Sequence, residues 1–258
     1  MSIYDNLSEI YEKWSSGDAV YKDTKHFYVN ALSQMHEGNF LEIGIGTGRI
    51  SLAVIENTPV SITGVDISEK MLHICQKYYL NMRFRCGALT LCLCDATSLP
   101  FCGQFDGAFM PFRTIGHLLT DEALQAMLEG VLRALKPGGW FLFDHYVFNR
   151  RWAEDHNDVP ILMYQDDKMT IKDLYHYNFA RGYLHCQVLV NDQVVESFDF
   201  RWLDPDAIRS YAHKIGFEIY TVLGEFDGSP WDEHAFEQIW LLRKPGTDVK
   251  DGNIPKLC

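Results

Sequence analysis

From residue 39 onward, short apolar runs alternate with stretches whose apolar positions recur at helical spacing. The runs at 39–45, 61–66, 90–94, 105–111 and 140–146 have the length and side-chain content of strands. Between them, residues 49–56, 69–80 and 121–135 carry the helical period. The last of these opens on Thr120-Asp121-Glu122, a cap followed by acids that favour a helix N-terminus. It stops before Pro137-Gly138-Gly139. Alternation of this kind predicts βαβ units, which build a parallel sheet covered by helices on both faces. Such sheets bind ligands at the carboxyl ends of their strands.

After residue 146 the period changes to two. Residues 168–179, 183–190 and 194–202 read as strands, with turn signals at Ala180-Arg181-Gly182 and Asn191-Asp192. Tyr175, Tyr177 and Phe179 alternate, as do Phe198, Phe200 and Trp202, so one face of this meander is strongly aromatic. That face suits either plain core or a pocket wall for apolar or cationic ligands. Asp204-Pro205 then supplies the cap and first turn of a helix ending near Gly216. Strands at 218–223 and 235–243 are expected to return the chain to the main sheet. Ahead of the first strand, Tyr4, Leu7, Tyr11 and Trp14 form a stripe at helical spacing. The stripe reads as a face packed on the domain, or as a lid whose aromatic groups close over a ligand.

The expected division is an N-terminal helical lid over 1–38, a ligand-binding core over 39–146 and an antiparallel insertion over 147–203. The insertion covers substrate or contacts a second copy. Residues 204–244 complete the core sheet, and a loose tail spans 245–258.

A chain of 258 residues with 47% hydrophobic content can bury a core for one large domain or two small ones. Its 35 acidic and 23 basic side chains leave a net charge of −12, which argues against a general nucleic-acid footprint. No apolar run approaches the roughly 20 residues needed to span a bilayer. Met1-Ser2-Ile3-Tyr4-Asp5 lacks the basic flank and apolar stretch of a signal peptide, so a cytoplasmic location is expected. The seven cysteines contain no Cys-x-x-Cys pair, and Cys92 and Cys94 alternate with Leu91 and Leu93 as if on one face of a buried strand. No metal site is expected.

The densest chemistry lies in Leu41-Glu42-Ile43-Gly44-Ile45-Gly46-Thr47-Gly48-Arg49. A strand runs through glycines into a helix, where backbone can approach a ligand more closely than side chains allow. Dinucleotide enzymes space this turn G-x-G-x-x-G, which requires glycine where Arg49 stands. That counts against a nicotinamide enzyme without excluding one. Asp66 closes the second strand in Gly64-Val65-Asp66-Ile67-Ser68, where a carboxylate can accept hydrogen bonds from both ribose hydroxyls or serve the next helix. Asp95 closes the third strand in Cys94-Asp95-Ala96, in reach of an adenine amino group, and Leu135-Lys136-Pro137-Gly138-Gly139 precedes the fifth.

Together these residues resemble the class I S-adenosylmethionine-dependent methyltransferases, closely over 40–146 and more loosely over 204–243. The resemblance implies an α/β fold: a doubly wound, mostly parallel, seven-stranded Rossmann-like sheet with an antiparallel β-meander inserted after the fifth strand. It also implies S-adenosylmethionine as cofactor. Gly44, Gly46 and Gly48 would lie under its methionine moiety, with Glu42 acting from behind the loop. Asp66 and Ile67 would hold the ribose, and Asp95 and Ala96 the adenine. Tyr11 and Met110 are expected to complete that site.

The fourth strand should deliver groups beside the transferred methyl. Relatives that methylate nucleic-acid nitrogens carry Asn/Asp-Pro-Pro-Tyr/Phe there, and Met110-Pro111-Phe112 lacks the amide or acid of that motif. The stretch Ile115-Gly116-His117 is similar to the loop of small-molecule N-methyltransferases, including amino-sugar dimethyltransferases, which implies a histidine facing the acceptor. Methyl transfer is an in-line displacement that depends on a free lone pair and on alignment. A histidine of near-neutral pKa can take the amine proton or orient the amine, so His117 is the expected catalytic residue. A helix cap or packing role is its competing reading. Tyr4, Arg113, Asp144 and His145 are the expected acceptor contacts, with Arg113 suited to a carboxylate.

The expected activity is methyl transfer to the amine nitrogen of a small molecule. A hydroxyl or carboxylate acceptor is the alternative, as is cofactor binding without catalysis. No nucleic acid or membrane partner is expected, and the chain would act as a monomer or homodimer.

Overall fold

The computed structural model describes residues 4–17, 21–246 and 254–257. The predicted alternation produces five parallel strands: β1 (Asn39–Ile43), β2 (Ser61–Asp66), β3 (Ala88–Leu93), β4 (Phe105–Met110) and β5 (Leu135–Tyr146). The helices are α1 (Tyr11–Ser15), α2 (Tyr21–Ser33), α3 (Arg49–Asn57), α4 (Glu69–Asn81), α5 (Asp121–Ala134), α6 (Arg150–His156) and α7 (Pro205–Ile215). The meander comprises β6 (Ile161–Gln165), β7 (Thr170–Asn178), β8 (Tyr183–Val190) and β9 (Gln193–Arg201). Last come β10 (Glu218–Leu223) and β11 (Glu237–Arg243).

The main sheet has seven strands in the order β10-β11-β5-β4-β1-β2-β3, with β11 antiparallel to both of its neighbours. The expected doubly wound, mostly parallel sheet is therefore present. Its two faces are covered separately. Leu124, Met127, Leu128 and Val131 of α5 and Ile208 and Ala212 of α7 close one core; Tyr28, Ala31 and Leu32 of α2 and Val54 and Ile55 of α3 close the other. Fully burying each such aliphatic side chain contributes about 1.5–3 kcal/mol. Local signals fix the ends. Thr120 accepts the Ala123 N–H at 3.2 Å, Asp204 accepts the Asp206 N–H at 2.8 Å, and Gly216 stops α7 at φ +101°.

The second sheet is an antiparallel meander, β6-β7-β8-β9. Asn191 and Asp192 both have positive φ (50° and 63°), the turn geometry that matches strand twist in a two-residue hairpin. Phe198, Leu184, Cys186, Val188 and Ile171 bury the inward face, with Leu7 and Trp14 of the N-terminal segment packed on it. The predicted N-terminal stripe thus packs on the meander rather than on the main sheet. Residues 5–10 form turns and only Tyr11–Ser15 is helical.

Other expectations change. α6 and β6 were not foreseen, because their apolar positions follow neither period cleanly, and α2, within the expected helical segment 1–38, packs into the core of the main sheet. The alternation of Cys92 and Cys94 with leucines does not mark a buried strand: β3 is the sheet edge, Leu93 is exposed and both cysteines are half-buried. Of the tail, residues 247–253 and 258 lie outside the described residues. Leu257 is buried beside α2, with Ile254 packed nearby, so residues 254–257 are not loose. Among the described residues, no helix is long and apolar enough to cross a membrane, and no group of three metal-ligating side chains converges.

Candidate active site

A cavity of about 720 Å³ opens at the carboxyl edge of β1, β2, β4 and β5, between that edge and the aromatic face of the meander. This is where a doubly wound sheet places ligands. Eleven of the fifteen predicted site residues line it: Tyr4, Tyr11, Gly44, Gly46, Asp66, Ile67, Asp95, Ala96, Met110, Arg113 and His117. Glu42, Gly48, Asp144 and His145 do not, and each has another role.

The glycine loop needs its glycines for three different reasons. All three have positive φ: 71° at Gly44, 55° at Gly46 and 86° at Gly48. A Cβ on Gly44 would stand 2.6 Å from Cγ2 of Thr114. One on Gly48 would stand 2.5 Å from the Cys75 sulfur, so Gly48 is required by packing at the start of α3 rather than by a ligand. One on Gly46 meets no protein atom within 4 Å, which leaves this backbone open for close approach by a ligand.

Asp66 is already oriented. Its Oδ2 accepts the Gly46 N–H and its Oδ1 the Ser68 N–H, both at 2.8 Å, so the carboxylate links the loop after β1 to the start of α4. Burial raises its pKa, and the two amide bonds oppose that rise. Asp95 accepts the N–H and the hydroxyl of Thr97, each at 2.8 Å, and so caps a short turn while lining the cavity. Glu42 lies behind the loop and is buried, accepting a hydrogen bond from the Ser51 hydroxyl. Burial pushes its carboxyl up to about 8, against the pull of Ser51 and Arg49.

The loop after β4 turns through two consecutive left-handed residues, Phe112 (φ 62°) and Arg113 (φ 59°). For side chains other than glycine this costs roughly 1–2 kcal/mol each. Asp144 offsets that cost. It accepts the Phe112 N–H at 2.9 Å and the Arg113 N–H at 2.8 Å, and the Tyr28 hydroxyl donates to it at 2.7 Å. Asp144 is fully buried beneath the loop and is not an acceptor contact; it holds the backbone that presents one. His145 points away from the cavity as well, with its Nε2 accepting the Leu203 N–H at 3.2 Å in a fully buried setting.

His117 ends a short 3-10 turn, Thr114–His117. It does not cap α5, whose cap is Thr120. Its ring is enclosed by Tyr4, Phe198 and Phe200, at centroid distances of 5.3, 5.4 and 5.0 Å. Burial pulls its pKa down to about 4. The imidazole is therefore neutral at physiological pH and suited to orienting a ligand through hydrogen bonds rather than to storing a proton. Gly116 beside it has no room for a Cβ, which would stand 2.3 Å from the Phe200 ring.

Sequence reasoning missed several lining groups. Glu237, the first residue of β11, is buried and accepts from the Arg113 guanidinium, so Arg113 is already paired. Asp173 accepts the Trp14 indole N–H at 2.7 Å and the Tyr175 hydroxyl at 2.9 Å. Trp152 comes from the unforeseen α6, and Tyr146, Tyr177 and Phe236 complete the aromatic wall. The alternation of aromatics along β7 and β9 was the available signal for that wall.

Residues 40–139 match the family model described as a methyltransferase domain. The chain is 29% identical to YqeM of Bacillus subtilis over 143 residues, which are 55% of each chain. Other relatives are named as O-methyltransferases or as C-methyltransferases of quinone biosynthesis. The chain spans about half the length of the curated relatives it matches. Among solved structures, the CcbJ methyltransferase of Streptomyces caelestis superposes with a TM-score of 0.76, at 16% identity, over 93% of this chain and 96% of that one. CalS10 of Micromonospora echinaspora, an amino pentose methyltransferase solved with its cofactor, gives 0.63 at 15% identity over 95% and 99%. A glycine loop and two ordered acids at successive strand ends thus coincide at one sheet edge, within the segment 40–139 that is similar to a methyltransferase domain.

Proposed function

We propose that this chain transfers a methyl group from S-adenosylmethionine to the amine nitrogen of a small molecule. The observation that carries the reading is a single cavity with two unlike ends. At one end the open backbone of Gly46 lies beside the oriented carboxylate of Asp66 and the Asp95–Ala96 turn. At the other, neutral His117 faces an aromatic wall.

The first end fits an adenosyl group. Asp66 retains acceptor capacity for ribose hydroxyls after taking two amide bonds, since a carboxylate has about four lone-pair sites. S-adenosylmethionine, when bound, supplies a methyl group on a sulfonium centre. The chain's own residues then align the acceptor and exclude water. Tyr4 and Tyr11 roof the cavity, His117 offers a hydrogen bond to the amine, and the aromatic wall favours a group that carries positive charge. The amine reading draws further support from the acidity of the cavity and from the shared fold of an amino pentose methyltransferase. Relatives named for O- and C-methylation make a hydroxyl acceptor the second reading. A nucleic-acid acceptor is disfavoured by the net charge of −12.

Titration calorimetry with S-adenosylhomocysteine tests the cofactor end. Saturable binding is expected, weakened at least about tenfold by Asp66→Ala, since that change removes a charge-assisted acceptor. Undiminished binding by the variant would remove the assignment. For the acceptor end, His117→Ala should lower turnover with cofactor affinity intact.

A further inference from the structure

The lining of the cavity contains an ion pair between Arg113 and Glu237. Arg113 is the one lysine or arginine among the described lining residues, whereas Asp66, Asp95, Asp173 and Glu237 all line the cavity. A lone arginine would draw a carboxylate through its planar fork of donors. Here its Nη2 is taken by Glu237, whose side chain is only 3% exposed, and its backbone N–H is taken by Asp144. The guanidinium thus sits against the buried Glu237 carboxylate, while Asp144 holds the Arg113 backbone.

Glu237 also stands opposite Tyr146 in the β5–β11 register, and Arg113 lies 5.7 Å from the Tyr146 ring centroid. The Tyr146 hydroxyl oxygen is buried and has no hydrogen-bond partner within the described residues, although the ring lines the cavity. A buried hydroxyl without a partner is costly, and a polar group of a ligand would satisfy it.

We propose that Glu237 sets the charge specificity of the acceptor: by occupying Arg113 it leaves a carboxylate surplus, so the cavity admits a cationic amine on an apolar body and rejects a carboxylate of the same shape. This rests on the methyltransferase reading above and names the substrate class of the same site. An acidic ligand would meet a guanidinium whose charge Glu237 already balances and whose Nη2 it occupies. An ammonium group is instead complemented by the carboxylates that line the cavity, and it gives up one proton to solvent before its nitrogen attacks the methyl carbon.

The test uses two probes of matched shape and opposite charge, 2-phenylethylamine and 3-phenylpropionate, titrated into the full chain saturated with S-adenosylhomocysteine. The wild type is expected to bind the amine at least about tenfold more tightly, since like-charge juxtaposition is strongly penalised in a desolvated site. Glu237→Gln releases Arg113 and should shift the ratio toward the carboxylate by at least about tenfold, because a freed guanidinium pairs with carboxylate. Parity of the two probes in the wild type overturns the proposal, as does failure to bind the amine. An unchanged ratio in Glu237→Gln also overturns it. Should that variant not fold, the wild-type ratio decides alone. Absence of S-adenosylhomocysteine binding would instead sink the methyltransferase reading, so the two failures are distinguishable.

Discussion

The phenol oxygen of Tyr4 stands 2.7 Å from Nε2 of His117, although the two residues are 113 positions apart in the chain. The bond joins the N-terminal segment to the loop after β4 and closes the cavity from above. Burial pushes the Tyr4 phenol well above its usual pKa, so it stays a neutral hydroxyl. Tyr4→Phe keeps the ring and removes the bond. Turnover is expected to fall about tenfold as the imidazole loses its orientation, with cofactor affinity changed less than about twofold. Steady-state kinetics beside calorimetry check this. Equal losses in both would show that Tyr4 only holds the roof in place.

The proton behaviour of His117 can be read from a rate profile. With its pKa pulled down to about 4, the ring does not titrate near 6.5. The kcat profile between about pH 5 and 8 should therefore show no histidine limb, and the proton lost by the methylated amine should pass to solvent or buffer. A limb near 6.5 that vanishes in His117→Gln would contradict the buried neutral state.

Glu42 makes folding stability depend on pH. Its folded pKa of about 8 lies above the ordinary 4.5, so its favourable contribution is fully present below about 4.5 and is lost as pH rises through 8. Glu42→Gln should be close to wild type in stability at pH 4.5. It should exceed wild type by a few kcal/mol at pH 9, on the order set by the linkage relation. Urea unfolding at the two pH values measures the difference. A constant gap would refute the sign.

The glycines of the loop should separate fold from binding. Gly46→Ala places a methyl group in open space at a strained φ, which costs the fold about 1 kcal/mol and should weaken S-adenosylhomocysteine binding far more. Gly48→Ala drives a methyl group into the Cys75 sulfur and should lower the melting temperature more than Gly46→Ala does. Thermal unfolding and calorimetry on both variants would show equal effects if the glycines acted alike, which would refute the distinction.

The core sheet was legible because its signals are local: apolar runs of strand length, caps at Thr120 and Asp204, and glycines at the strand-to-helix turn. The glycines of the loop and the lining acids Asp66 and Asp95 were visible for the same reason, since each sits within a few positions of a strand end, whereas Tyr11 reaches the cavity from α1. The acceptor end was not. Arg113 meets Glu237 across 124 positions, and Asp144 turns beneath the loop instead of toward the cavity because strained backbone at Phe112 and Arg113 needs its oxygens. A strand-end acid looks the same in sequence whether it serves a ligand or the backbone. The aromatic face of the meander was visible as alternation, but its choice of partner was settled by Leu7 and Trp14, which occupy only part of it.

Contact between Gly116 and the ring of Phe200 leaves no spare volume between the loop that bears His117 and the inserted sheet. The two surfaces are complementary to within one methyl group. A differently shaped side chain at position 200 would leave either a void or a collision beside the loop that bears the imidazole. Reshaping this cavity would therefore start from single side chains on the existing β7–β9 face, each fitted against the loop after β4.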